Sequence, residues 1–204
     1  MSGKREGSRF ANIAGALLLG GASTRMGSDK ARLELDGVAL ATRIALLLDA
    51  LFEEVLLVGG DPPADAPGRR VADLDGPRCA LRGVVGALAA ARADRVLVVA
   101  TDLPLLTPEL LLALAAWPEA DVVAPRAGAR LEPLCAVYSR RALAAARARL
   151  AAGRLALHEL IAELSLQTIE AADLRAVDPA GTALANANTP EEWAALSVRR
   201  RRGT

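Results

Sequence analysis

The chain has few aromatic residues, one histidine and two cysteines. Aromatic residues make up 2% of its 204 positions, which argues against a platform for single-stranded nucleic acid, because such platforms stack bases on exposed rings. Cys79, Cys135 and His158 lack the spacing of a structural zinc site or of a Cys-His nucleophilic pair. We therefore expect a core of Leu, Val and Ala, two cysteines acting as small apolar residues, and a histidine on a helix surface.

A strong charge of one sign and a long apolar run are also missing. The formal net charge is +1, with acids and bases interspersed, so no electrostatic footprint for nucleic acid is present. No apolar run reaches the roughly 18 residues that a membrane helix needs, and the polar N-terminal residues do not resemble a secretory signal. We expect a cytoplasmic globular protein with neither nucleic acid nor membrane as partner.

Short apolar runs alternate with longer Ala/Leu-rich stretches at helical spacing, in a chain whose length suits one domain. This alternation predicts a single-domain, three-layer α/β/α, Rossmann-like fold with a mostly parallel mixed sheet. We predict a flexible leader over residues 1–12, the domain over 13–197 and a basic tail over 198–204. The predicted strands are 14–19, 55–58, 96–100, 121–124 and 134–138, and the predicted helices are 40–52, 81–91, 108–116, 141–151, 157–164 and one that starts at Thr189.

A glycine-rich segment follows the first predicted strand. It begins with Gly20 and Gly21 and contains the bases Arg25 and Lys30. Glycines let the backbone turn tightly and bring its amides against an anion, and the two bases supply the positive charge that a triphosphate needs. The segment fits neither a P-loop nor the Gly-x-Gly-x-x-Gly pattern, so a nicotinamide dehydrogenase is a poor interpretation. The plainer alternative is a turn with incidental surface bases.

Oxygen-bearing side chains follow two later segments. Asp102 comes directly after the predicted strand 96–100, where a carboxylate suits Mg²⁺. Asn186 and Asn188 precede a helix start, and their amides can ligate a metal or bond a phosphate without adding negative charge. Taken alone, each is better explained by an ordinary turn or helix cap.

The segment 18–30 resembles the signature Leu-x-Gly-Gly-x-Ser-x-Arg-Met-Gly-x-Asp-Lys of the molybdenum-cofactor guanylyltransferases and their nucleotidyltransferase relatives. The run 186–192 is similar to that family's Asn-x-Asn-Thr-Pro-Glu-Glu ending. Leu19 departs from the usual Ala, at a position that meets the nucleotide through its backbone. Asp73 resembles the family's aspartate that follows a strand and meets the guanine base, although Asp75 lies close by. The resemblance spans about residues 14–196.

The resemblance implies an enzyme that transfers GMP from GTP to molybdopterin and releases pyrophosphate, with Mg²⁺ as cofactor. It implies GTP and the molybdenum cofactor as partners, with molybdoenzymes or their chaperones as further ones. The implied residues are Arg25, Lys30 and Asp102 for catalysis, Leu18, Leu19, Gly20, Gly21, Lys30, Asp73 and Asp102 for the nucleotide, and Asp102, Asn186 and Asn188 for the metal.

Looser matches leave the acceptor side open. Residues 81–84 resemble a Pro-Leu-x-Gly-Ile motif, with Ala80 in place of the proline, and 132–138 resemble Gln-Pro-Leu-x-Ala-Val-Tyr, with Glu132 in place of the glutamine. An added carboxylate near an anionic acceptor requires a partner, for which Arg130 is the candidate. The alternatives are a molybdopterin cytidylyltransferase, a sugar-phosphate nucleotidyltransferase, and a non-catalytic protein that binds or delivers the cofactor.

Overall fold

The computed structural model describes residues 9–19, 33–76, 78–187 and Glu192, and it confirms the predicted α/β/α architecture. Most predicted boundaries agree with the observed ones within two residues. The strands are β1 (Ile13–Leu18), β2 (Glu34–Leu35), β3 (Val38–Ala39), β4 (Val55–Val58), β5 (Arg69–Val71), β6 (Arg95–Ala100), β7 (Val122–Ala127), β8 (Arg130–Leu131), β9 (Cys135–Ser139) and β10 (Leu166–Ile169). The helices are α1 (Leu40–Leu51), α2 (Ala80–Ala90), α3 (Pro108–Ala116), α4 (Ala142–Ala151), α5 (Leu157–Ala162) and α6 (Ala171–Val177).

The large sheet has the strand order β10-β7-β9-β6-β1-β4-β5, and β8 pairs with β7. β1 is parallel to both of its neighbours, β4 and β6, whereas β9 is antiparallel to β6 and β7. The sheet is therefore mixed and mostly parallel, as predicted. The chain runs outward from β1 to β4 and β5 and then returns to β6 on the other side of β1. The strand order thus switches between β1 and β6, and sheets of this kind bind ligands at the carboxyl edge of that switch.

Successive residues of each central strand point into two separate cores. In β1, Ile13 and Leu17 pack with α1, α3 and α6, whereas Ala14 and Leu18 pack with α2, α4 and α5. This alternation follows from the two-residue period of a strand. Both cores consist mainly of Leu, Val and Ala, so the sheet is covered on both faces, as parallel strands require.

Part of the predicted leader contacts the domain. Phe10 forms a bridge with Phe52, with ring centroids 5.8 Å apart, and Arg9 pairs with Asp49 at 3.1 Å. These contacts begin before residue 13, where we placed the start of the domain. The basic tail and the Thr189 helix start lie outside the described residues, except for Glu192, which is helical.

No helix in the described ranges is long and apolar enough to cross a membrane.

A buried carboxylate ties three elements together at the amino edge of the sheet. Glu54, 7% exposed, precedes β4. It accepts hydrogen bonds from Nη2 of Arg69 at 2.9 Å and from the backbone N–H of Arg92 at 2.8 Å. Burial raises the pKa of the Glu54 carboxyl, but the bonds from Arg69 and Arg92 outweigh it and hold that pKa below its ordinary value.

We expect Glu54→Gln to lower the free energy of unfolding by about 1.5–3 kcal/mol at neutral pH, because it loses hydrogen bonds to a charged acceptor. The folded-state pKa is depressed, so this stabilisation is present above the unfolded pKa and is lost as pH falls through the folded one. Urea unfolding of both proteins at neutral pH and at about pH 3, below the ordinary Glu pKa, measures the difference. An equal deficit at both pH values would contradict the assignment.

Candidate functional site

Several elements end at the carboxyl edge of the sheet, beside the switch point. β1 ends at Leu18, β4 at Val58 and β6 at Ala100. Because β9 is antiparallel to β6, the residues before its start reach the same edge, where the Ala100 N–H donates to the Leu134 carbonyl at 2.9 Å. The residues that follow β6 and those that precede β9 are therefore neighbours in space, although more than thirty positions separate them in sequence.

The segment that contains Asn186 contacts the backbone of Asp102 at this edge. The Ala187 N–H donates to the Asp102 carbonyl at 3.0 Å, which brings the 186–187 segment against the end of β6. Oδ1 of Asn186 is buried and has no hydrogen-bond partner within the described parts of the chain. A buried amide oxygen without a partner is unfavourable, so this atom is suited to accept a bond from a ligand or to coordinate a cation. The other predicted metal ligand, Asn188, lies outside the described residues.

A second carboxylate, that of Glu132, lies near Asp102. Glu132 is 8% exposed, and its Oε1 lies 2.6 Å from Nη2 of Arg130, which confirms the predicted pair. Burial raises the pKa of the Glu132 carboxyl, the Arg130 guanidinium opposes this shift, and the Asp102 charge adds to it, so the pKa lies above its ordinary value. The sequence motif relates Glu132 to the acceptor alone, whereas the antiparallel strand β9 brings it to the Asp102 side.

The side chains of Asp102, Glu132 and Asn186 offer only oxygen ligands. Such a donor set fits a hard divalent cation such as Mg²⁺ better than a softer metal. Within the described ranges there is no group of three or more His, Cys, Asp and Glu residues that could hold a metal. An amide and bound phosphate oxygens would therefore have to complete the coordination, as is common for Mg²⁺ at phosphate sites.

Asp73 lines a pocket on the α2 side of the same edge. β5 pairs with β4, and the Gly59 N–H donates to the Val71 carbonyl at 2.9 Å, which fixes the chain two residues before Asp73. The Asp73 carboxylate packs on the Gly59–Gly60 turn, where the Gly60 N–H donates to Oδ2 at 3.4 Å. Gly59 has φ +70°, and a Cβ there would overlap the carboxylate. Only glycine allows this approach.

The pocket has both apolar and polar lining residues. Leu18, Val58 and Gly83 are among the apolar ones, and besides Asp73 its polar side chains include Arg78 and Arg82. Asp75 does not line this pocket; it lines an open cleft beside it, together with Arg147 and with Arg82, which borders both. The structure thus separates Asp73 from Asp75, which the sequence could not. Arg82 lies within the motif at residues 81–84 but was not predicted to line a pocket; its place in the first turn of α2, a helix start beside the switch point, was the available signal.

Leu19, the departure from the usual motif, has its side chain in the core at 7% exposure. Its N–H donates to the Val58 carbonyl at 2.9 Å, so this backbone group is already bonded within the fold. The four residues Gly20, Gly21, Arg25 and Lys30 lie outside the described part of the chain.

Cys135 and His158 do not provide a nucleophile at the described edge. Burial raises the pKa of the Cys135 thiol far above neutrality, with smaller contributions from the Glu132 and Asp102 charges, so the group stays a thiol. His158 is exposed on α5, as predicted. The site therefore relies on charge and positioning rather than on a covalent intermediate formed by these groups.

A doubly wound sheet with a pocket and an oxygen-rich cluster at its switch point defines a nucleotide-binding α/β protein. Residues 15–168 match the MobA-like NTP transferase domain. The chain is 38% identical over 189 residues to a probable molybdenum cofactor guanylyltransferase from Chloroflexus aggregans, covering 88% of this chain and 91% of that protein. It is 33% identical over 186 residues to the molybdenum cofactor guanylyltransferase from Desulfosudis oleivorans, covering 88% and 92%.

Among solved structures, the fold matches the molybdopterin-guanine dinucleotide biosynthesis protein A from Archaeoglobus fulgidus. The TM-score is 0.80 at 21% identity, covering 93% of this chain and 99% of that one. It also matches the 2-C-methyl-D-erythritol 4-phosphate cytidylyltransferase from Thermus thermophilus, with a TM-score of 0.67 at 17% identity, covering 91% and 98%. The chain belongs to the MobA-like NTP transferase family and is a nucleotidyltransferase.

Proposed function

We propose that this enzyme transfers GMP from GTP to the terminal phosphate of molybdopterin, forming the guanine dinucleotide cofactor and releasing pyrophosphate. One phosphate oxygen of the acceptor attacks the α-phosphorus of GTP, and the bond to the pyrophosphate leaving group breaks. The names of the relatives at 33–38% identity support this reaction. Molybdoenzymes or their chaperones, as receivers of the product, stay a prediction.

The observation that supports GTP most directly is the Asp73 carboxylate in its pocket. Guanine presents two adjacent donors, N1–H and the exocyclic amine, which one carboxylate accepts together. Leu18 and Val58 offer the apolar walls that a planar base needs. We therefore place the guanine base in this pocket, with the triphosphate running along the edge toward Asp102.

The phosphates would lie at the switch point between β1 and β6. There Gly20 and Gly21 would offer backbone amides, and Arg25 and Lys30 would neutralise negative charge. Asp102, with Asn186 and Asn188, would hold Mg²⁺. When bound, the metal supplies charge stabilisation for the pentavalent transition state and the leaving pyrophosphate. The protein groups position the two substrates for direct transfer, without a covalent intermediate on the enzyme.

On the acceptor side, Glu132 stands where the motif that this segment resembles in the guanylyltransferase family has a glutamine. Its carboxylate would repel an anionic phosphate if it stood alone. The Arg130 guanidinium at 2.6 Å offsets that charge, and the Arg130 side chain is itself 62% exposed. The pair is therefore close to neutral, which removes the repulsion that a lone Glu132 carboxylate would exert on a phosphorylated acceptor.

The test is to incubate the full-length protein with Mg²⁺ and molybdopterin and to add GTP, CTP, ATP or UTP singly. Pyrophosphate release and the mass of the dinucleotide product are measured, with reactions lacking molybdopterin as the control for simple hydrolysis. We expect GTP to be the one nucleotide of the four that yields a dinucleotide product. Preferential product from CTP would make the enzyme a cytidylyltransferase. Product with a sugar phosphate instead of molybdopterin would change the acceptor, and no turnover with any nucleotide would indicate a binding or delivery protein.

A further inference from the structure

Two arginines, Arg78 and Arg82, line the same pocket as the Asp73 carboxylate, and the placement of Arg82 suggests a second determinant of base choice. We propose that Arg82 reads the acceptor edge of guanine, with its guanidinium donating to O6 and N7 while Asp73 accepts from N1–H and the exocyclic amine. The proposal rests on GTP being the nucleotide and adds a specificity-determining residue from α2 to that same site.

The position of Arg82 is fixed from two sides. It lies in the first turn of α2, between Leu81, which is fully buried, and Gly83. At Gly83 a Cβ would approach Cδ1 of Leu18 to 2.9 Å, so the helix start is pressed against the end of β1. Arg82 therefore leaves the helix directly beside the pocket wall that Leu18 and Gly83 form.

The guanidinium is seated on the loop that also carries Asp73. Gly76 has φ +112°, and a Cβ there would overlap Nη2 of Arg82. The glycine at this position both permits the backbone conformation and leaves room for the guanidinium. One short loop thus holds the Asp73 carboxylate against the Gly59–Gly60 turn and receives the Arg82 guanidinium three residues later. Both groups line the same pocket.

Donors and acceptors of this kind match guanine and no other common base. An arginine fork pairs with O6 and N7 of guanine in a bidentate manner. Adenine has an amine where guanine has O6, and cytosine has an amine at the equivalent edge, so each would present a donor to the guanidinium. Asp73 discriminates at the Watson–Crick edge and Arg82 at the neighbouring edge, so an analogue that alters one edge should affect one residue alone.

Two guanine analogues separate the two residues. 7-Deaza-GTP lacks the N7 acceptor and probes Arg82, whereas inosine triphosphate lacks the exocyclic amine and probes Asp73. We expect wild-type protein with Mg²⁺ and no acceptor to bind 7-deaza-GTP about tenfold more weakly than GTP, by equilibrium titration. In Arg82→Gln that difference should vanish, while the penalty for inosine triphosphate should remain. With acceptor present, the change should appear in KM for the nucleotide and leave kcat nearly unaltered.

Arg147→Gln is the matched control, because Arg147 is an exposed arginine of the adjoining cleft that does not line the base pocket. It should keep the wild-type preference for GTP over 7-deaza-GTP. Arg82→Lys keeps the charge but not the fork, so it should bind triphosphates well and still lose the discrimination. If wild-type protein does not prefer GTP over the other three nucleotides, the proposed function fails. If it prefers GTP but binds 7-deaza-GTP as tightly as GTP, the role of Arg82 is overturned while the proposed function stands. This last comparison uses wild-type protein only, so it does not depend on whether a variant folds.

Discussion

Asp102→Asn should lower turnover about a hundredfold or more and should shift the magnesium concentration that gives half-maximal activity upward. A neutral amide is a poorer ligand for a hard cation than a carboxylate, and metal stabilisation of transition-state charge is worth several kcal/mol. The substitution leaves the bond from the Ala187 N–H to the Asp102 carbonyl available, because that bond uses the backbone. The loop should therefore keep its position while the side-chain charge is lost.

Asp94→Asn is the control for this variant. Asp94 precedes β6 at the amino edge of the sheet, and its side chain is 92% exposed, whereas Asp102 follows the same strand at the carboxyl edge. Magnesium titrations of activity for wild type and both variants decide the matter, with thermal unfolding to show that each is folded. An Asp102→Asn enzyme with the wild-type magnesium titration would reduce Asp102 to a turn residue.

Local sequence patterns predicted most of the fold because the buried strands are fully apolar and the helices are long. The predicted boundaries of β4 and α3 coincide with the observed ones, since Val55–Val58 is a continuous apolar run and Thr107 with Pro108 is a recognisable helix start. The Thr107 side chain does accept a bond from the Leu110 N–H, at 3.4 Å. A continuous apolar run and a capped start are both encoded by neighbouring residues.

The elements that were not predicted are short or polar. β2 and β3 have two residues each and are joined by Asp36 and Gly37, both with positive φ, so the Asp-Gly pair was the one signal of a hairpin there. β10 has a single fully buried residue, Ile169, in its four positions, and it forms because it pairs with β7. Pairing of this kind depends on distant residues and leaves little trace in local sequence.

The site was predictable in its parts but not in its assembly. Asp102 could be placed because it directly follows a buried strand. The closeness of Glu132 to Asp102 could not, because it depends on β9 being antiparallel to β6, and strand direction is not readable from an apolar run. Likewise, the sequence offered Asp73 and Asp75 as equals two positions apart. They are distinguished by the Gly59–Gly60 turn, which receives the Asp73 carboxylate.

Asp73→Asn should erode the preference for GTP over the other nucleotides by about ten- to a hundredfold, because hydrogen bonds to a charged acceptor are worth roughly 1.5–3 kcal/mol. An asparagine side chain offers one acceptor and one donor, so it can satisfy N1–H or the amine of guanine but not both. Cytosine and adenine place a donor beside an acceptor on that edge, a pattern that the amide matches better than the carboxylate does. The ratio of kcat/KM for GTP to that for CTP is therefore the quantity to measure.

Asp75→Asn supplies the matched control, since it makes the same chemical change on the same loop but in the neighbouring cleft. It should leave the GTP-to-CTP ratio at the wild-type value. Asp73→Asn should also keep the wild-type magnesium titration. Its pocket lies on the α2 side of the edge, whereas the predicted metal ligands follow β6 and lie near the end of the domain. An unchanged ratio in both variants would move base recognition to the backbone groups of residues 18–20.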